Sequence, residues 1–344
     1  MSIEVGPRKR RPVPGPSVGE PVREPIVSRL RRNAPLLQLA SVIALLLACG
    51  ITISGFVSKS SIYSTLILAS FLGVAAVGQT LVILIGGIDL SVPALISGAN
   101  LISTWLAGKN WPFGLVVVLV LTCATVVGLV NGFITHRFRA PPLIVTLATG
   151  AVVTGLTLGL TDGGQVSGSP PGWLTRFSSP IGTVVGIGIP PVVVLWLLIA
   201  ILLGIALHLS GSGRRVYATG ANEEAARLAG VPTERVWLGS FAVSGVASAL
   251  VGILLVGFTG QGEAGVGDPY QFLSIAAVLV GGTSLIGARG DYWRTVLGAL
   301  LMTLFTTLLV GHGAGEAMQE LLTGVLILLF VGIYGREQRV RDRV

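Results

Sequence analysis

Asp89, in the segment GGIDLS at 86–91, is the carboxylate that comes closest to the apolar interior of this sequence. A charge at that depth is costly and is kept for function, so it is the group an ion-coupled carrier would need. Asp89 and Ser91 are equally suited to cap a helix that starts at Val92 and Pro93, and capping is the role expected. Other reactive chemistry is sparse. No H-E-x-x-H, no G-x-S-x-G and no Cys/His cluster occurs among the three histidines and two cysteines. Lys59-Ser60, in SGFVSKSS, lacks the glycine before the lysine that lets a phosphate-binding loop close, so ATP hydrolysis is not expected of this chain. The densest polar stretch is GRRVYATGANEEAARLAGV at 213–231. In it Asn222 is an N-cap, Glu223 and Glu224 occupy the first turn, Glu223 and Arg227 stand at i, i+4, and Gly230 is placed to stop the chain. The spacing predicts one helix of about two turns, marginal when isolated, which is either an inert capped loop helix or one that docks on a surface, local physics alone favouring the former.

The elements around these residues are apolar. Of 344 residues 52% are hydrophobic and 11% charged, against about 25% charged in soluble domains. Mean hydropathy is +0.83. Apolar runs lie at about 36–57, 63–87, 93–108, 113–135, 143–161, 190–209, 236–258, 274–288, 295–311 and 317–335. They predict an all-α, polytopic membrane bundle of about ten transmembrane segments, in which 93–108 and 274–288 are short enough to be broken or re-entrant. With the N-terminus inside, all of the 23 Lys and Arg fall on inner segments except Lys59, Lys109 and Arg176, so both termini are expected to be cytoplasmic. The net charge of +8 is thereby assigned to membrane orientation, and no nucleic-acid partner is expected. Cys49 and Cys123 fall inside apolar runs and imply no disulfide framework. The expected divisions are a disordered, basic, Pro-rich tail at 1–34, a membrane domain at 35–335 with a cytoplasmic loop at 210–235, and a basic tail at 336–344. Small residues four apart, at Gly128/Gly132, Gly155/Gly159 and Ser244/Ser248/Gly252, predict close helix packing.

EAARLAG at 224–230 matches the E-A-A-x-x-x-G signature of the cytoplasmic coupling loop of ATP-binding-cassette importer permeases. GQTLVILIGGIDLS at 78–91, NGFIT at 131–135, PPLIVTLATG at 141–150 and IAAVLVGGTSLIGARG at 275–290 resemble the ribose-type, simple-sugar branch of that family, and the resemblance spans about 62–334 in order. Pro93, Ala288 and Arg294 depart from the small or glycine residues common there, which leaves the local geometry around both glycine motifs open.

The resemblance implies a multi-pass permease of the cytoplasmic (inner) membrane, usually a homodimer with a second permease copy, that binds no cofactor or metal itself. ATP and Mg²⁺ would belong to a separate cytoplasmic ATPase, and an extracytoplasmic solute-binding protein would deliver a monosaccharide or similar polyol. Glu224, Ala225, Ala226 and Gly230 would meet the ATPase, while Gly86, Gly87, Asp89, Ser91, Gly281 and Gly282 form the two glycine motifs. Gln79, Thr80, Asn100, Asn131, Thr146 and Thr149 are candidates to line a path for a neutral solute; side chains of this kind also serve as interhelical glue worth about 0.6–2 kcal/mol each. The loop at 161–182, with Trp173 and Phe177, is the candidate contact for the binding protein, its aromatics being equally suited to anchor at the interface. A branched-chain amino acid or nucleoside permease is the alternative within the class, and an ATP-independent secondary carrier the alternative outside it.

Overall fold

The computed structural model describes residues 34–164, 166, 168–184 and 188–341. The tail expected at 1–34 therefore lies outside the described residues, save for Ala34 at its end. In chain order the helices are α1 (Ala34–Thr52), α2 (Lys59–Leu84), α3 (Val92–Gly108), α4 (Phe113–Phe138), α5 (Pro142–Leu160), α6 (Gly172–Ser178) and α7 (Pro191–Leu209). They continue with α8 (Gly211–Ala221), α9 (Glu223–Leu228), α10 (Thr233–Thr259), α11 (Asp268–Val280), α12 (Tyr292–Gly311) and α13 (Glu316–Arg341). No strand occurs among the described residues.

Each of the ten apolar runs carries a helix, but among the described residues six helices, α2, α4, α5, α7, α10 and α12, are long and apolar enough to cross a membrane. Helices α3 and α11 have 17 and 13 residues. At 1.5 Å per residue they rise about 26 and about 20 Å, short of roughly 30 Å of hydrocarbon. The run at 274–288 is divided: α11 starts upstream at Asp268 and stops at Val280, and 281–291 is not helical. Helix α13 continues to Arg341, past the end expected at 335.

Proline starts several of these helices. Pro142 and Pro191 open α5 and α7, and Pro93 stands in the first turn of α3, where its missing N–H would have no helical partner in any case. The departure at Pro93 therefore fits a helix start.

Helix α2 is buried without a break from Ala69 to Leu84, as befits a helix that is apolar all round. Around it pack α7, α8, α10, α11 and α12. Close approach depends on the spaced small residues. A Cβ on Gly128 would collide with the Phe241 carbonyl of α10, one on Gly245 with the Ala124 carbonyl of α4, one on Gly78 with Ser244, and one on Gly252 with the Ile96 carbonyl of α3. Gly155 and Gly159, by contrast, face open space on α5. Centrally, Trp196 of α7 lies close against Gly73 of α2, and its Nε1 donates to the Tyr292 hydroxyl at 3.2 Å; that hydroxyl donates to the Gly73 carbonyl at 2.7 Å.

Two ends of the bundle can be told apart. The ends of α2, α4 and α7 and the starts of α10 and α12 meet at one end, together with α8 and α9. At the other, the chain after α10 folds over the end of α3, with Gly262 against Thr104. Gly128→Leu should lower the melting midpoint in detergent by the equivalent of about 3 kcal/mol or more, because the collision is with rigid backbone. Gly155→Leu should leave it within about 0.5 kcal/mol. Equal melting of the two variants by intrinsic fluorescence would show that the α4–α10 contact is not close.

Candidate functional site

The first glycine motif ends α2 and starts α3. Gly86 N–H donates to the Ile83 carbonyl at 2.9 Å and Gly87 N–H to the Val82 carbonyl at 2.8 Å, the paired bonds of a Schellman stop. Gly86 takes φ +86°, which a glycine adopts without strain. The second motif ends α11 the same way, offset by one residue. Gly282 (φ +85°) donates to Leu279 at 2.8 Å and Thr283 to Val278 at 3.1 Å. Gly281 serves close approach, since a Cβ there would lie 2.8 Å from the Arg294 carbonyl. Ala288 has φ +58°, and its N–H reaches the Leu84 carbonyl at 2.9 Å, so the two motifs are joined by a backbone hydrogen bond.

Asp89 lies between α2 and α3 and is 2% exposed. Among the described residues it has no ion-pair partner within 4.0 Å. Its Oδ1 accepts from Ser91 N–H at 2.9 Å and Ser91 Oγ at 2.6 Å, and its Oδ2 accepts from Ser244 Oγ of α10 at 2.7 Å. The carboxylate thus binds the stretch just ahead of α3, one step upstream of a first-turn cap, and the Ser91 side chain makes no cap bond. The start of α3 also favours negative charge there.

Four of the candidate path residues converge on this segment. Gln79 Oε1 accepts from Asp89 N–H at 3.3 Å, Thr146 Oγ1 from Leu90 N–H at 3.0 Å, and Asn131 Nδ2 donates to Ser91 Oγ at 3.0 Å. Thr149 Oγ1 donates to Asn131 Oδ1 at 2.7 Å. Thr80 and Asn100 lie elsewhere. Thr80 meets Thr295 of α12 at 3.3 Å, and Asn100 joins the Gly252 carbonyl to Glu263 N–H near the opposite end. Ser244 was not legible as a partner of Asp89, because a hydroxyl 155 residues away carries no sequence signal beyond its place in a small-residue row.

The polar stretch forms two helices instead of one. Ser210 caps α8 by accepting from Gly213 N–H at 3.2 Å, and Asn222 both ends α8 and caps α9 by accepting from Ala225 N–H at 2.9 Å. Two glycines of α8 serve close packing, since a Cβ on Gly213 would collide with the Leu207 carbonyl and one on Gly220 with the Leu84 carbonyl. Gly230, at φ +81°, ends α9. Glu223, Glu224, Ala225 and Arg227 are exposed, Leu228 is 81% exposed, and Ala226 is buried against the chain itself. The expected Glu223–Arg227 pair is replaced by two others. Arg227 Nη2 meets Glu224 Oε1 at 3.0 Å, and Glu223 Oε1 lies 3.3 Å from His136 Nε2 at the end of α4. His208, at the end of α7, meets Asp291 Oδ1 at 3.1 Å. Tyr217 of α8 donates to the Gly290 carbonyl at 2.9 Å; burial, then the Asp291 charge, pushes its phenol above the ordinary range, so it remains a donor.

Helix α6 lies within the loop at 161–182, with Trp173 exposed and edge-on to Phe113 at 5.9 Å and Phe177 packed into the core. Beside the end of that loop, Lys59, Ser60, Tyr63, Pro180, Ile181 and Thr183 line an open cavity of about 430 Å³.

Ser244→Ala should cost about 1–3 kcal/mol, since it leaves a buried carboxylate oxygen without its donor. Asp89→Ala, which orphans donors on two helices, should cost more than that. Thermal unfolding of the detergent-solubilised protein measures both, and a Ser244→Ala midpoint equal to wild type would refute the role given to the carboxylate.

Residues 61–331 match the family described as branched-chain amino acid transport system / permease component. A ribose import permease protein of Haemophilus influenzae is 32% identical over 302 residues, 86% of this chain and 92% of its own length. Its Bacillus subtilis counterpart is 33% identical over 259 residues, 75% and 80% of the two chains. A fructose import permease protein of Rhizobium meliloti is 32% identical over 310 residues, 88% and 86%. No solved structure matches the chain. By the extent of the family match and the coverage of these relatives, the chain belongs to the branched-chain amino acid transport system permease component family.

Proposed function

We propose that the chain is the membrane-embedded permease subunit of an ATP-driven importer in the cytoplasmic membrane, carrying a monosaccharide or similar small polyol. The family's description names branched-chain amino acids, but the relatives that cover most of the chain are named for ribose and fructose, which favours the sugar. The ten apolar helices are proposed as membrane segments, α3 and α11 being partial ones, with both termini in the cytoplasm; the charge asymmetry supports this.

The observation that carries the reading is α9. It is a six-residue helix, capped at both ends and exposed along Glu224, Ala225 and Leu228, at the end where the arginines gather. So short a helix is marginal by itself, and an exposed leucine beside two alanines suits a groove on a partner. A separate cytoplasmic ATPase is that partner, holding ATP and Mg²⁺ itself. Glu224 meets a basic group on it, and Gly230 returns the chain toward the membrane. A solute-binding protein docks at the opposite end, where the 161–182 loop and the cavity beside Lys59 lie.

Gln79, Asn131, Thr146 and Thr149 act by holding the break before α3. The solute passes along a face shared with a second copy, and the exposed side of α5 suits such a face. In proteoliposomes with the ATPase and binding protein, ATP-dependent uptake of ribose or fructose should exceed that of leucine. Glu224→Lys and Gly230→Pro should insert normally yet lose about tenfold or more of uptake and of ATPase co-purification. Ion-driven uptake without the ATPase, or labelling of residues 213–235 from outside the cell, would overturn the assignment.

A further inference from the structure

Helix α8 has no part in the contact assigned to α9, yet its last turn occupies the place where both glycine motifs meet. Gly220 faces the Leu84 carbonyl so closely that a Cβ would collide with it, and that Cβ would lie 2.8 Å from Ala288 N. Leu84 O and Ala288 N are the two atoms of the hydrogen bond that joins the stop of α2 to the 281–291 segment. Gly287 closes the same junction from the other side, 2.9 Å from Leu84 O and 3.0 Å from the Gly220 carbonyl when a Cβ is placed on it. One turn earlier on α8, Tyr217 holds the Gly290 carbonyl. Asn222 alone separates α8 from α9, ending one and capping the other, so the two short helices move as a unit.

We infer that Gly220 is a positioning residue for transport: through it α8 carries a displacement of α9 to the Leu84–Ala288 bond, and so to the stops of α2 and α11 together. The inference rests on the reading of α9 as the ATPase contact. Its geometry requires glycine. Elsewhere in a helix alanine is the better former by about 1 kcal/mol, so Gly220→Ala should disturb the junction and little else. Tyr217→Phe removes the tie to Gly290 without adding volume, and should cut off only the second segment.

The test is hydrogen exchange, read by mass spectrometry, on the permease purified with its ATPase in lipid nanodiscs, with and without a non-hydrolysable ATP analogue and Mg²⁺. In wild type the nucleotide should change exchange about fivefold or more, the low end of ordinary coupling between sites, in both 84–91 and 281–291. With Gly220→Ala the ATPase should still co-purify, while the nucleotide effect falls below about twofold in both segments. Tyr217→Phe should lose it in 281–291 and keep it in 84–91. A wild-type response confined to one segment, or absent, overturns the inference, as does an undiminished response in Gly220→Ala. If that variant does not assemble, an undiminished response of 281–291 in Tyr217→Phe has the same force. Glu224→Lys run alongside separates the two readings: co-purification of the ATPase with it counts against α9 as the contact, whereas the junction is judged on Gly220 and Tyr217.

Discussion

A helix that stops among other apolar helices leaves carbonyl and amide groups with no water to satisfy them, and each unmet group costs several kcal/mol in a membrane. Much of the polar chemistry of this protein answers that constraint. Helices α2 and α11 stop in the same way, with a left-handed glycine and two backbone bonds folded back on the last turn. That leaves Leu84 O, which takes the Ala288 amide from the second stop. The amides just beyond the first stop are taken by Gln79, Thr146 and the Asp89 carboxylate; Ser244 holds that carboxylate to α10, and Asn131 holds Ser91 to α4. Two interruptions are thus made into one joint.

Ala288 bears on this joint directly. A non-glycine residue at φ +58° carries roughly 1–2 kcal/mol of backbone strain. It is tolerated where the surroundings over-determine the conformation, and here the amide bond to Leu84 and the tight turn from Ser284 to Arg289 do so. The departure from glycine has not opened the motif.

The apolar helices were legible because periodicity was not needed to find them: runs of unbroken hydrophobicity mark α2, α4, α5 and α7 to within a few residues, and prolines flank the starts of the last three. The capping of α9 by Asn222 and its stop at Gly230 were legible because both are local. What failed depends on distance. The glycines at 213 and 220 look alike as breakers in one dimension, and only the neighbours of α8 explain them. Glu223 had two partners within reach, the Arg227 guanidinium on its own helix and the His136 imidazole on α4, and chain separation cannot rank them. Gln79, Asn131, Thr146 and Thr149 have the same residue types whether they bind a solute or a backbone, so their number and spacing could not show that they converge on one loop.

The ties also differ in strength along the bundle, and in a direction that suits a moving part. Near the middle, α7 is fixed to α2 by the close contact of Trp196 on Gly73 and by two buried bonds through the Tyr292 hydroxyl. Buried bonds of this kind are costly to break unmade. At the α8–α9 end the side-chain pairs between elements are His136–Glu223 and His208–Asp291, both partly exposed, beside the Tyr217 bond to the Gly290 carbonyl. Exposed pairs of that sort contribute about 0–1 kcal/mol each, so they can part and re-form at little cost. A push on α9 would therefore strain the weak ties first and leave α7 held where Trp196 meets Gly73. The close backbone contacts at Gly220, which have no slack, would pass what remains of the movement to the joint between the two stops.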